Sequence, residues 1–148
     1  MDKQQSMMAV MRLYEMRREE KMRAARRWFF SEFSPRSAMD ILQLYRQGEE
    51  ASAYFRMVTS FWDMAASFVL NDALDEKIFL DTSGEIVFVY AKIAPYLDEI
   101  REIFREDDYL INLEQMSRRV PDLEKKLEAR KRLFALWTKE PAEEGAAG

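Results

Sequence analysis

The chain has no cysteine and no histidine among its 148 residues, and only four glycines and four prolines. Without the first two, disulfides, thiol nucleophiles, structural zinc centres, imidazole-ligated haem and every Ser-His-Asp or Cys-His arrangement are excluded. A helical di-metal centre built on Glu-x-x-His pairs loses its histidine half. The glycines at 48, 84, 145 and 148 are isolated, so neither a phosphate-binding loop nor a dinucleotide fingerprint can be written. Long apolar runs are missing too. The longest, Met57 to Leu70, falls short of the roughly 20 residues that a spanning helix needs and carries Asp63 at its middle. The start, Met1-Asp2-Lys3-Gln4-Gln5, is polar, and Arg12, Glu15, Arg17 and Arg18 break up the next stretch of chain. No signal peptide is expected, and the expected location is cytoplasmic.

The residues present suit a packed helical protein: 48% hydrophobic, 34% charged and 13% aromatic. This length closes one hydrophobic core, and the expectation is a single all-α domain over 1–140 with a mobile tail over 141–148. The fold expected is a compact bundle of five or six helices with a long N-terminal helix. Net charge is −4, distributed as +4 over residues 1–31, −10 over 32–117, +5 over 118–139 and −3 beyond. Two basic ends flank an acidic middle, which predicts terminal helices packed beside acidic central ones.

From Ser6 to Phe33 the residues Met7, Met11, Tyr14, Met22, Ala25, Phe29 and Phe33 form one helical stripe, with Arg18 interrupting it. The spacing predicts one long helix ending at Ser34-Pro35. Ser37 is a cap for a helix over 38–47, with Asp40 in an acidic capping box and Gly48 as the stop. The segment Glu49 to Asn71 carries Tyr54, Phe55, Val58, Phe61, Trp62, Ala65, Phe68 and Val69 on one face and few charges elsewhere. It is predicted to be the central helix, buried nearly all round. A turn over 71–75 precedes a short helix through Ile78-Phe79-Leu80. Ile86 to Tyr90 suits a strand by propensity, but Ile86, Val89, Tyr90, Ile93, Leu97, Ile100 and Phe104 continue one helical stripe, which Pro95 kinks or restarts. Further helices are expected after Asp107-Asp108 and after Pro121.

The carboxylates Asp98, Glu99, Glu102, Glu106, Asp107 and Asp108 are interleaved with Arg101 and Arg105, the pattern of a solvated, ion-paired helix face rather than a metal site. No cofactor is expected. The basic runs Arg12 to Arg27 and Lys125 to Arg132 are mixed with glutamates and are read as solvated faces, so nucleic acid is not an expected partner. Between Ala51 and Leu70 of the central helix Arg56 and Asp63 are the two charges, two turns apart, and each requires a partner from another helix if buried. Arg18, Arg101, Asp98 and Glu114 are the candidates. The expectation is a buried polar network fixing helix register; the alternative is a small-molecule cleft lined by Arg56, Asp63, Trp62 and Tyr90, with Arg101 alongside.

The stretch from Arg56 to Met116 resembles an uncharacterised bacterial family of small all-helical domains of unknown function. The resemblance rests on Arg56 followed by Trp62-Asp63, where the family pattern favours Glu at the position of Asp63, on the turn Asn71-Asp72-Ala73-Leu74-Asp75, and on the helix Arg101 to Arg105. It implies a helical fold and no assigned activity. The function expected from the residues themselves is a non-catalytic interaction module. Its partner would be another protein or a second copy of the chain, met through the methionine-rich surface around Met7, Met11, Tyr14, Arg18 and Met22. Nucleic-acid binding through the basic ends is the alternative.

Overall fold

The computed structural model describes residues 2–47 and 49–137; the predicted stop at Gly48 and the expected tail over 141–148 lie outside the described residues. The stripe from Ser6 to Phe33 forms two helices rather than one, α1 (Lys3–Arg17) and α2 (Glu20–Ser31). The break comes where Arg18 interrupts the apolar pattern. Arg18 closes α1, Glu19 takes an extended conformation, and its carboxylate accepts the Met22 N–H at 3.1 Å, starting a new helix. The two halves then have different fates. Met22, Ala25 and Phe29 of α2 are buried, whereas Met7, Met11 and Tyr14 of α1 are exposed.

Beyond these, α3 (Ala38–Gln47) precedes the long α4 (Glu50–Leu70), and α5 (Glu76–Thr82) precedes α6 (Glu85–Ile93). A 3₁₀ turn at Ala94–Tyr96 leads into α7 (Leu97–Phe104), and α8 (Ile111–Arg118) and α9 (Leu123–Trp137) complete the order. No strand occurs among the described residues, and the helices outnumber the five or six expected. Two splits contribute to the excess: the N-terminal one, and the one at Pro95, which cannot donate to the carbonyl four residues earlier and sits in the 3₁₀ turn. Ser37 does cap α3, its hydroxyl accepting the Asp40 N–H at 3.3 Å while the Asp40 carboxylate reaches back to the Arg36 N–H at 2.8 Å. After α4, Asp72 adopts a left-handed conformation (φ 59°), so that the Ala73 N–H returns to Phe68 O and the Asp72 N–H to Val69 O.

The core lies around α4, which packs on α2, α3, α6 and α8. Phe55, Val58, Trp62, Ala65 and Val69 meet Ala25 and Phe29 of α2, Leu113 and Met116 of α8, and Ile86, Val89 and Ile93 of α6. Each large side chain fully buried here contributes about 1.5–3 kcal/mol. The expected all-round burial of α4 needs correcting, because Arg56, Ser60, Met64 and Phe68 form an exposed stripe at the i, i+4 spacing of one helix face. The terminal helices pack on helices of the acidic middle, α1 on α5, α2 on α4 and α9 on α6, and α9 also packs on α2, so the two basic ends of the chain meet as well.

Candidate functional site

Three polar clusters hold the helices together. At the first turn of α6, Glu85 accepts hydrogen bonds from Arg26 of α2, with Nε at 3.0 and 3.1 Å and Nη2 at 2.6 Å, and from the Trp62 indole of α4 at 3.0 Å. Arg26 also donates to the carbonyl of Arg17 at 3.4 Å, clamping the end of α1. The Arg17 guanidinium is mostly buried, 3.9 Å from Glu85, and lies over the rings of Tyr14 and Trp62 at 5.2 and 5.3 Å. Burial lowers its pKa, against the pull of Glu85 in the other direction.

The second cluster fastens α8. Its first residue follows Leu110, which has a left-handed conformation (φ 53°) and no capping side chain of its own. The cap comes from α4: Asp63 accepts the Leu113 N–H at 2.9 Å and the Asn112 amide at 3.4 Å. Arg101 of α7 donates to Glu114 at 2.9 Å and to the Tyr109 carbonyl at 2.9 Å, with Asp98 at 3.8 Å. The hydroxyls of Tyr45 and Tyr109 are hydrogen bonded, and burial pushes the pKa of both phenols up.

Lys92 of α6 makes the third cluster. Its ammonium is buried and donates to the carbonyls of Phe29 and Phe33 at the C-terminus of α2, with Phe134 of α9 covering it at 4.6 Å. Among the described residues no carboxylate faces it within salt-bridge distance, and burial pushes its pKa down to about 8.

The residues singled out from the sequence are thus divided. Arg56 is exposed, its Nε bonded to the Ser52 carbonyl one turn back at 3.3 Å. Asp63 and Arg101 do not touch each other but both grip α8. Tyr90 is buried, with Arg118 and Glu114 the nearest charges, and burial raises its pKa. Trp62 joins a different group, the Glu85 cluster. Of the methionine surface, Met22 belongs to the core, whereas Met7, Met11, Tyr14 and Arg18 are exposed, Arg18 lying 5.7 Å over the Tyr14 ring. Sequence reasoning missed Glu85, Arg26, Arg17 and Lys92. Lys92 was visible as the lone charge between Ile86 and Leu97, whereas Glu85 carries no local signal because its partners lie 23 and 59 residues away.

Two concave surfaces flank α1. A groove of about 740 Å³ between α1, α2 and α4 is lined by Met16, Met22, Met57, Phe61 and Met64, with Arg12, Glu15, Glu19 and Ser60. A second cavity of about 540 Å³ on the other flank is lined by Val10, Met11, Leu13, Tyr14, Glu15, Arg17, Arg18, Trp62, Thr82 and Ser83. Among the described residues no group of three acidic side chains is placed to hold a metal ion, and no helix is long and apolar enough to cross a membrane.

Residues 4–120 match the model of a domain of unknown function, DUF4760. The chain belongs to this family. The match spans α1 to α8 and stops at the buried Val120, so the Glu85 cluster and the Asp63 cap of α8 lie inside the family domain, while α9 comes after it. No curated protein and no solved structure matches the chain.

Proposed function

We propose that this protein is a non-catalytic helical interaction module that pairs with a second copy of itself across the outer face of α1 and the methionine groove beside it. The observation that carries this reading is the exposure of Met7, Met8, Met11, Tyr14 and Met16 on one helix, with Met8 61% and Met11 55% exposed. A helix that buries only Ser6 and Leu13 of its own has an apolar surface left over for a partner. Methionine is unbranched and polarizable, and repacks against a partner at small cost. Met64 and Phe68 extend the apolar surface along α4. Charge supports a second copy as the occupant: the groove lining carries both signs, Arg12 with Glu15 and Glu19, as a surface that pairs with itself requires.

Size-exclusion chromatography with light scattering tests this at about 100 µM chain, where even weak self-association is populated. The expected mass is about 35 kDa, twice the 17.6 kDa of the chain, in low and high salt alike. Met16→Glu and Met64→Glu, both at exposed positions, are expected to return it to the monomer mass. A wild-type monomer at both salt concentrations refutes the reading. A second reading draws on the meeting of the basic ends: Arg23 and Arg27 share a shallow surface with Phe30 and Trp137, and Arg26, held by Glu85, borders it, with no carboxylate in the lining among the described residues. A monomer that carries material absorbing at about 260 nm and sheds it in high salt favours that nucleic-acid surface instead.

A further inference from the structure

The cavity on the other flank of α1 has an electrostatic imbalance. Glu85 is fully engaged, accepting from Arg26 and from the Trp62 indole, which leaves Arg17 at 3.9 Å as a second cation beside a carboxylate already neutralised. The Arg17 side chain is only 14% exposed, and the rings of Tyr14 and Trp62 cover its guanidinium. With two rings against the guanidinium, the N–H donors at its edge are the part left to bind a planar anion. Arg18 comes next on the rim, exposed and without a salt bridge among the described residues. The cavity's one carboxylate, Glu15, is 64% exposed and paired with Arg12 at 3.4 Å. Both carboxylates beside these cations, Glu85 and Glu15, are shared with another arginine, so the cations facing about 540 Å³ carry an excess of positive charge. A mostly buried cation is costly unless paired, and a volume of this size suits a small ligand.

We propose that this cavity binds a small organic oxyanion, its head between Arg17 and Arg18 and its apolar body against Met11 and Tyr14. A carboxylate and a phosphate monoester share the chemistry that the two guanidinium groups recognise. The site shares only Glu15 with the lining of the methionine groove, so its occupancy is measured whether the chain is monomer or dimer, and the two readings fail separately.

Calorimetric titration of the full chain with hexanoate and with hexyl phosphate tests the proposal, with hexan-1-ol and inorganic phosphate as controls. At least one of the two alkyl anions is expected to saturate at one per chain below about 5 mM, and the tighter of the two identifies the head group. Arg17→Gln removes the buried cation and is checked for folding by circular dichroism. Arg18→Gln changes only an exposed residue and is expected to weaken binding about tenfold, the loss of one charge-assisted contact. Raising the salt concentration is expected to weaken the wild type more than Arg18→Gln. The proposal is overturned if neither alkyl anion saturates, if Arg18→Gln binds as tightly as wild type, if hexan-1-ol competes equally, or if inorganic phosphate binds as tightly as hexyl phosphate.

Discussion

Replacing Asp63 by alanine removes the cap of α8 from outside that helix. The carboxylate accepts the N–H of Leu113, a fully buried residue, at 2.9 Å, and Leu110 at the helix start offers no side chain in its place. The orphaned N–H is then shielded from water by the packing of α8 on α4. A charge-assisted hydrogen bond of this kind contributes about 1.5–3 kcal/mol, and a negative charge at a helix N-terminus adds about 0.3–1 kcal/mol. Asp63→Ala is therefore expected to cost about 2–3 kcal/mol, lowering Tm by about 5–10 °C for a chain of this length. Asp63→Asn keeps an oxygen for the Leu113 N–H and loses only the charge, so about 1 kcal/mol is expected. Arg56→Ala, on the same helix but on its exposed stripe, serves as the control and should change stability by less than about 0.5 kcal/mol. Urea unfolding and differential scanning calorimetry on the three variants give the comparison. An Asp63→Ala protein as stable as Arg56→Ala would refute the capping argument and leave Asp63 as a surface charge.

The other two clusters give further outcomes. Glu85→Ala strips Arg26 and the Trp62 indole of their shared acceptor and leaves two arginines side by side, so a loss of about 3–5 kcal/mol is expected in urea unfolding; a loss under about 1 kcal/mol would mean that water replaces the carboxylate without penalty. For Lys92, burial sets the folded pKa at about 8 against 10.5 for the ordinary side chain. Between those values the unfolded chain binds more protons than the folded one, so the contribution of Lys92 to stability rises with pH through this window. The wild type is expected to gain stability from pH 8 to pH 10.5 relative to Lys92→Met, and a difference independent of pH would contradict the burial of the ammonium.

The helical class and the places of α3, α4, α5 and α6 were legible because period and caps are local properties of the chain. Ile86 to Tyr90, β-branched and aromatic, folds as helix because the apolar stripe at helical spacing runs on to Phe104 and outweighs intrinsic propensity. The break at Arg18 was legible only as an interruption. That Glu19 restarts the helix depends on α2 finding α4 to pack on, which no local pattern encodes. The same limit explains the site residues. Asp63 stood out as a charge in an apolar helix, but its partner is a backbone N–H fifty residues on, and backbone donors leave no mark in composition. Arg17 and Arg18 are neighbours in sequence and alike in chemistry, and only the direction of the bend puts the first between two rings and the second in solvent. The basic ends were expected against the acidic middle, where α2 meets α4 and α9 meets α6, but charge summed over segments does not say that α2 and α9 also touch. Aromatic contacts of Phe88 with Phe134 and Trp137 seat α9 on α6, and the contact of Phe30 with Trp137 brings it beside α2 as well.

The bend at Arg18 also divides the molecule kinetically. On one side of it α1 is anchored by Leu13, by the bond from the Asp75 N–H to the Ser6 hydroxyl at 3.0 Å, and by the clamp on Arg17. On the other side α2 contributes Phe29 and Ala25 to the heart of the core. Releasing α1 exposes little apolar surface, whereas releasing α2 unfolds the protein. In hydrogen exchange the amides of α1 are therefore expected to open in a low-energy step of their own, and those of α2 only on global unfolding. On the proposed reading, the helix that presents the methionines meets its partner from outside the core, so that changes in its exposed face leave the packing of α2 on α4 intact.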